Sequence, residues 1–157
     1  MTDFWQHSAA IEERKGLTMA ITVKARAISK GYAEGEALVC RQPIGFNFGV
    51  DITNGVINEY NHELEGKSIK DKILIFPHGK GSTGGSYVVY QLAVAKTGPK
   101  AIINLTTETI IAVGAIMGGI PVVDSLEKNP YDIIADGDYV KVDAINGTVT
   151  VSKKGEV

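Results

Sequence analysis

The sequence predicts an α/β fold with a core of parallel strands joined by helical crossovers and flanked by antiparallel hairpins. Three observations support this prediction. Short apolar runs alternate with helix-length segments between residues 71 and 124, period-two segments lie near both ends of the chain, and turn dipeptides bound the C-terminal ones. Strand, helix and strand in succession with short connections are typical of right-handed crossover units around a parallel sheet.

The first half of the chain is predicted to contain strands followed by a long loop. The segment "ITVKARAIS" alternates with a period of two, and "GEALVC" follows a glycine-containing turn, so both are predicted strands. Residues 41–68 form a loop-rich insertion in which Asn54-Gly55 has the position of a hairpin turn. We interpret residues 1–18 as an N-terminal extension that is poorly ordered or non-catalytic, and residues 19–157 as one domain.

The second half is predicted to contain the crossover units. The apolar runs in "DKILIF", "AIINL" and "IPVVD" are typical of strands buried on both faces. The segment "SYVVYQLAVAKTG" predicts a helix with Val88, Leu92 and Ala95 on one face and its end at Gly98-Pro99. The segment "TTETIIAVGAIMGG" predicts a second helix, with threonines as candidate N-caps and Glu108 in the first turn.

The C-terminal segment is predicted to close the fold as a hairpin. Asp136-Gly137 and Asn146-Gly147 are turn dipeptides. The neighbouring segments "YVKVDA" and "TVTVS" alternate polar and apolar residues, as half-buried strands do.

Composition argues against several kinds of partner and cofactor. The 157-residue chain carries 16 Lys and Arg against 18 Asp and Glu, a formal net charge of −2, with no basic stripe, so neither nucleic acid nor an anionic membrane is expected. The longest apolar stretches are shorter than a membrane span, and no signal-peptide pattern is present. Cys40 is the single cysteine, which excludes an intrachain disulfide. We expect a cytoplasmic protein.

The segment "FPHGKGSTGGSYVVY", residues 76–90, is the main candidate for a functional site. Gly79, Gly81 and Gly84 spell G-x-G-x-x-G where a predicted strand leads into a predicted helix, which is the context of a dinucleotide-binding loop. A Rossmann domain also needs an acidic residue roughly 20 positions later, and the next strand offers Asn104 instead. No Lys-Ser or Lys-Thr pair completes a Walker A motif. The motif therefore does not favour a nucleotide.

The same loop could form a site for an anion or oxyanion. Its glycines allow the backbone to approach a ligand closely, and the helix N-terminus behind them favours negative charge. Ser82 and Thr83 add hydroxyls and Lys80 adds a positive charge, so Ser82 is a candidate base or nucleophile. The structural alternative is that Ser82 serves only as an N-cap and the glycines only form a tight turn. The glycines in question are Gly81, Gly84 and Gly85.

Several motifs in order resemble one known family. The runs "GYAEGEALV", "HELEGKSIKDKILIFP", "GKGSTGGSYVVYQLA", "GPKAIIN" and "AVGAIMGGIPVVD" closely resemble the small subunit of the aconitase-X family of hydro-lyases. The resemblance covers about residues 22–143. It implies a swivelling β/β/α domain that corresponds to the mobile C-terminal domain of aconitase. It also implies a heterodimer with a large subunit that carries an iron-sulfur cluster.

The resemblance implies that Ser82 is the proton acceptor of a dehydration. Lys80, Gly81 and Thr83 would then surround Ser82 and contact a substrate carboxylate or phosphate. Dehydration needs a base for the proton on carbon and a Lewis acid for the departing hydroxyl. A cluster requires about three or four cysteine ligands, and this chain has Cys40 alone. We therefore expect no metal or cofactor on this chain by itself and the cluster in the large subunit.

Other polar residues have structural interpretations beside functional ones. His78, just before the loop, is either a structural residue or a proton shuttle. His62 and Glu63 are interpreted as part of a turn that packs or faces the partner, with catalysis as the alternative. Cys40 is expected to be a small buried apolar residue rather than a cluster ligand, and Glu34 a hairpin residue.

Within this family, the loop "GKGSTGGSY" more closely resembles the loop of the phosphomevalonate type. The expected reaction is dehydration of (R)-5-phosphomevalonate to trans-anhydromevalonate 5-phosphate in an isoprenoid route. The alternative within the family is the small subunit of cis-3-hydroxy-L-proline dehydratase. An alternative of another class is a non-catalytic anion-binding or regulatory module, because fold alone does not separate a binding module from an enzyme.

Overall fold

The computed structural model describes residues 20–154, so the extension predicted for residues 1–18 lies outside the described residues. The strands are β1 (Ala20–Lys24), β2 (Arg26–Ser29), β3 (Tyr32–Val39), β4 (Ile73–Ile75), β5 (Ala101–Ile103), β6 (Val122–Asp124), β7 (Tyr139–Asp143) and β8 (Thr148–Ser152). The helical segments are α1 (Phe46–Gly49), α2 (Gly84–Ala95), α3 (Thr109–Gly118) and α4 (Pro130–Ile133). None of the helices in residues 20–154 has the length and apolar character that crossing a membrane requires.

The strands form one mixed sheet in the order β1-β8-β7-β3-β4-β5-β6-β2. Strands β3, β4, β5 and β6 are parallel to one another, and the remaining pairings are antiparallel. Helix α2 connects β4 to β5, and α3 connects β5 to β6. The predicted parallel core with antiparallel flanks is therefore confirmed.

Strand β3 divides the sheet into two layers. Its residues 32–36 pair with β7, and its residues 37–39 pair with β4. Because side chains alternate along a strand, β4 places Ile73 and Ile75 in a core shared with the antiparallel strands. Leu74 of the same strand lies in a second core shared with α2 and α3. The layers are thus β/β/α, as the resemblance implied.

The predicted N-terminal strand segment is divided between two distant positions. Strand β1 pairs with β8, and β2 pairs with β6 at the other end of the sheet. The division falls at Ala25, whose N–H donates to the carbonyl oxygen of Gly147 at 2.9 Å. A period-two pattern does not specify a partner strand, so alternation alone did not indicate this change of position.

The predicted buried face of helix α2 is confirmed at Leu92 and at Val88, which is partly buried against the core. Its buried residues are Gly85, Val89 and Leu92, whereas Ala95 is exposed. The helix ends at Lys96 in the left-handed conformation, before the predicted stop at Gly98. Gly114 of α3 explains the close packing of α2 on α3, because a Cβ there would lie 2.6 Å from the carbonyl oxygen of Ser86.

Both predicted turn regions are confirmed. In the insertion, Gly55 has φ +71°; the antiparallel bridge Val50–Ile57 spans the turn, and the bridge Val56–Ser68 follows it. A Cβ on Gly55 would lie 2.3 Å from the carbonyl oxygen of Thr97, so only glycine fits. At the C-terminus, β7 and β8 form the predicted hairpin through Asn146-Gly147.

Candidate active site

The glycine loop leaves the carboxyl end of β4 and leads into α2. In open α/β sheets, ligands bind outside the carboxyl ends of the parallel strands. The start of the loop is joined to the segment after β3: the N–H of Ile44 donates to the His78 carbonyl (3.3 Å), and the N–H of Lys80 donates to the Ile44 carbonyl (3.1 Å). Two backbone hydrogen bonds therefore hold this part of the loop in place.

Ser82 lies exposed at the end of this loop. Its Oγ accepts a hydrogen bond of 2.7 Å from Nδ2 of Asn47. The N-cap of α2 is Thr83, and no side-chain capping bond is made there. The interpretation of Ser82 as only an N-cap is therefore wrong, since its hydroxyl is held by another side chain and not by the helix backbone.

The backbone around Ser82 presents free donors. Within residues 20–154, the N–H groups of residues 81–84 donate no hydrogen bond. Gly81 has φ +93°, a conformation that favours glycine, and open space lies where its Cβ would be. Free N–H groups at a helix N-terminus favour a negative charge placed beside them.

Gly84 and Gly85 have a different role from the predicted one. A Cβ on Gly84 would lie 2.9 Å from Nδ2 of Asn47, and a Cβ on Gly85 would lie 3.0 Å from a methyl group of Ile110. These two glycines therefore allow other parts of the protein to approach, whereas Gly81 is the glycine that faces open space.

Lys80 is not a free positive charge. Its Nζ lies 2.9 Å from Oε2 of Glu59, and both side chains are partly exposed. Glu59 comes from the insertion and was not identified from the sequence, because no local pattern links residues 21 positions apart in a loop. The pair leaves the site less positive than Lys80 alone would make it.

Glu108 fastens the start of the loop to α3. Its Oε1 accepts from the N–H of Gly79 (2.8 Å), and its Oε2 accepts from the N–H of Ile110 (2.8 Å). Glu108 is the N-cap of α3, a correction to the predicted threonine cap and first-turn position. One carboxylate thus satisfies donors of both the loop and the helix.

A chain of polar contacts continues along the carboxyl edge of the sheet. Nδ2 of Asn104 donates to the Phe76 carbonyl (2.9 Å), and Oδ1 of Asn104 accepts from the Thr107 hydroxyl (3.1 Å). The N–H of Thr107 donates to Oδ2 of Asp124 (2.7 Å). Asn104, which stands where a dinucleotide-binding site has an acidic residue, is therefore a buried structural residue.

Asp124 ends this chain in a two-point ion pair with Arg26, with both nitrogen–oxygen distances 2.8 Å. The carboxylate is fully buried, whereas the Arg26 side chain is largely exposed. Burial alone would raise the pKa of Asp124, but the bonds from Arg26 and Thr107 outweigh it and lower the pKa below its ordinary value of 3.8. The ion pair joins β2 to β6.

The two histidines make local contacts. Both ring nitrogens of buried His62 are used, since Nε2 donates to the Pro43 carbonyl (3.0 Å) and Nδ1 accepts from the N–H of Leu64 (3.0 Å). This supports the interpretation of a packing turn. His78 is exposed, and its Nδ1 donates to the carbonyl of neighbouring Gly79 (2.7 Å).

Cys40 does not have the surroundings of a cluster ligand. The residue is fully buried, and burial raises the pKa of its thiol to about 11, so the thiolate that binds a metal is disfavoured. No group of three or more His, Cys, Asp or Glu in residues 20–154 could hold a metal ion. The residues present do not fit an iron-sulfur cluster.

Three exposed aromatic residues lie close in sequence to residues of the site, and we call them the aromatic collar: Phe48, Tyr60 and Tyr87. Their side chains are 92%, 84% and 60% exposed. Phe48 follows the asparagine that bonds Ser82, Tyr60 follows the partner of Lys80, and Tyr87 lies in the first turn of α2. Large exposed aromatic groups at one site are typical of an interaction surface.

A separate pocket of about 290 Å³ lies at the C-terminal ends of α2 and α3, lined by residues that include Lys96, Lys100 and Gly119. It opens at the amino ends of the parallel strands, away from the glycine loop. No candidate site residue lines this pocket.

The layered β/β/α fold, with free backbone donors in a glycine loop at the carboxyl edge, defines a swivelling-type α/β domain. Residues 22–151 match the profile of the aconitase X swivel domain. The chain belongs to this family.

Relatives match over nearly their full lengths. The phosphomevalonate dehydratase small subunit of Methanosarcina mazei is 55% identical over 136 residues, which are 87% of this chain and 94% of that protein. The protein of the same name from Pyrococcus furiosus is 46% identical, over 86% of this chain and 98% of the relative. The crystal structure of Thermococcus kodakaraensis aconitase X in its holo-form is 44% identical, with a TM-score of 0.79, over 84% of this chain and 98% of that one.

Proposed function

We propose that this chain is the small catalytic subunit of a hydro-lyase that dehydrates (R)-5-phosphomevalonate to trans-anhydromevalonate 5-phosphate. The names of relatives up to 55% identical support this substrate. The observation that carries the catalytic role is the exposed Ser82 Oγ, which accepts from an amide N–H beside free backbone N–H groups. Residues 19–157 would form the swivelling domain, with residues 1–18 as an extension.

In this proposal, Ser82 takes the proton from the substrate carbon. The electron pair of the broken C–H bond forms the C=C bond, and the hydroxyl on the neighbouring carbon departs with the electrons of its C–O bond. A neutral serine is a weak base, but the Asn47 amide that donates to Oγ and the positive end of α2 favour its alkoxide. The departing hydroxyl must be received by a group that this chain does not supply.

Lys80, Gly81 and Thr83 are proposed to contact the substrate. The free N–H groups of Gly81 and Thr83 can donate to a carboxylate or phosphate oxygen, and so can the Thr83 hydroxyl. Lys80 can do so when it exchanges Glu59 for the substrate anion. This exchange would make the contribution of Lys80 to binding smaller than that of a free lysine.

We predict that Lys80→Met raises KM roughly 10-fold, since it removes a hydrogen bond between charged groups, while kcat changes less. Glu59→Gln should have the opposite effect and leave KM equal or lower, because it releases the Lys80 ammonium. Steady-state kinetics of the assembled enzyme measures both. An unchanged KM in Lys80→Met would remove Lys80 from the substrate site.

We further propose that a larger partner subunit docks on the face that carries Ser82 and the aromatic collar. The relatives are named small subunits, which implies a larger one. The collar would supply the buried aromatic contacts that anchor such interfaces. Because this chain has one cysteine, the iron-sulfur cluster is proposed to lie in that partner.

The proposed function is tested by expressing the chain with its larger subunit under anaerobic conditions and assaying water elimination from 5-phosphomevalonate. Turnover of 5-phosphomevalonate is the expected result. Turnover of cis-3-hydroxy-L-proline instead would place the chain in the other dehydratase. A complex with an intact cluster and no turnover of either substrate would favour the non-catalytic anion-binding module.

A further inference from the structure

We infer that Asn47 is a positioning residue for Ser82, whose side-chain amide fixes the orientation of the hydroxyl and stabilises negative charge on Oγ. The inference rests on the proposed role of Ser82 as the base. Asn47 lies 35 residues before Ser82, and its Nδ2 is 2.7 Å from Oγ.

The segment that carries Asn47 is anchored to the strand from which the loop leaves. Phe46, the preceding residue, is buried, and its ring lies 5.9 Å from the ring of Phe76, directly after β4. Asn47 and the glycine loop are thus fixed to the same part of the core. Their separation is set by this packing and by the backbone hydrogen bonds of nearby Ile44 with His78 and Lys80.

The backbone after Asn47 adopts an uncommon conformation. Phe48 has φ +69°, which is unfavourable for a residue with a large side chain, and that side chain is exposed. The turn is held by a neighbouring segment, because the backbone N–H of Asn58 donates to the carbonyl of Gly49 at 3.0 Å. Strain that the surroundings maintain is often found beside functional groups.

The glycine loop contains the space that the Asn47 amide needs. A Cβ on Gly84 would lie 2.9 Å from Nδ2 of Asn47 and 3.1 Å from its Cγ. Gly84 is therefore required for the amide to reach Ser82. Gly84, two residues after Ser82, thus leaves the space in which the Asn47 amide contacts the Ser82 hydroxyl.

The chemistry of an amide suits this position. The NH₂ group of Asn47 only donates hydrogen bonds, so the Ser82 proton must point away from it. A donor bonded to Oγ favours the charged form of the hydroxyl and lowers its pKa. An amide does not accept the proton at neutral pH, so it cannot replace Ser82 as the base.

The test measures Asn47→Ala and Asn47→Asp in the assembled enzyme, each with Ser82 intact and with Ser82→Ala. We expect Asn47→Ala to lower kcat roughly 10- to 100-fold, the loss of one hydrogen bond to a charged group, with little change in KM. Asn47→Asp, which is nearly isosteric, should lower kcat further and shift the acidic limb of the pH–kcat profile upward. With Ser82→Ala, neither change should cause a further loss.

If Asn47 had a purely structural role, its substitution would lower kcat by the same factor with Ser82 intact and with Ser82→Ala. That result would overturn the inference. Turnover by Ser82→Ala could be too slow to measure. In that case we use the primary isotope effect on kcat, measured with Ser82 intact on substrate deuterated at the proton-donating carbon. It should increase in Asn47→Ala, and an unchanged effect would contradict the inference. Asn54→Ala is the matched control, since Asn54 lies in the same insertion and its side chain accepts from the nearby backbone N–H of Val56.

The two proposals fail in distinguishable ways. Full turnover by Ser82→Ala would overturn the proposed base itself and the inference with it. An inactive Ser82→Ala beside a fully active Asn47→Ala would leave the base in place and refute the role of Asn47 alone. Thermal unfolding of each variant separates loss of folding from loss of chemistry.

Discussion

Ser82→Ala is expected to lower kcat of the assembled enzyme roughly 10²- to 10⁴-fold, the usual contribution of a general base. KM should change little, because the hydroxyl would act on the proton in the transition state and bind the ground state weakly. Ser82 is exposed, and the hydroxyl that the substitution removes is bonded to the partly exposed Asn47 side chain, so stability and co-purification with the larger subunit should be preserved. Single-turnover kinetics on purified complex measures the effect.

Ser86→Ala is the matched control for this experiment. Ser86 lies one helical turn further along α2, where its hydroxyl donates to the Ile110 carbonyl at 2.7 Å. Its loss should weaken the packing of α2 on α3 and leave kcat of the folded complex close to wild type. Equal losses of kcat in the two variants would mean that Ser82 acts through the helix and not as the base.

Asp124→Asn is expected to lower the free energy of unfolding by about 2–3 kcal/mol at pH 7, since it removes charge-assisted hydrogen bonds at a fully buried position. The folded pKa of Asp124 lies below 3.8, so this carboxylate contributes stability above the unfolded pKa and loses it as pH falls through the folded pKa. The difference between wild type and Asp124→Asn should therefore be largest near neutrality and shrink below about pH 4.

Urea unfolding of the purified chain at several pH values measures this difference. Glu36→Gln is the control, because Glu36 is an exposed carboxylate that pairs with Lys72 at 2.6 Å. Surface pairs contribute little, so this variant should show a much smaller loss. A loss in Asp124→Asn that did not depend on pH would show that packing, and not the ionised carboxylate, makes the contribution.

The contacts of the glycines explain why the G-x-G-x-x-G motif does not indicate a dinucleotide site in this protein. Gly79, Gly81 and Gly84 have the required spacing, yet Gly79 donates to Glu108 and Gly84 makes room for Asn47. Only Gly81 faces open space with free donors around it. A glycine pattern indicates that another group lies close to the backbone, and that group can be a side chain of the same protein instead of a ligand.

The sequence alone determined the parallel core, the flanking hairpins and the place of the loop. Continuous apolar runs such as "DKILIF" indicate strands buried on both faces, and Asn54-Gly55 and Asn146-Gly147 indicate turns, because these properties depend on neighbouring residues. The family motifs also identified Ser82 before its surroundings were known, and its role as a base remains a prediction.

Only the tertiary structure decided which groups surround Ser82 and Lys80. Asn47 and Glu59 come from an insertion without a regular pattern, and they reach the loop across 35 and 21 residues. The division of β1 from β2 between opposite ends of the sheet is likewise set by pairing with distant strands. These contacts arise from packing between segments far apart in the chain, and local periodicity and propensity carry no information about such pairs.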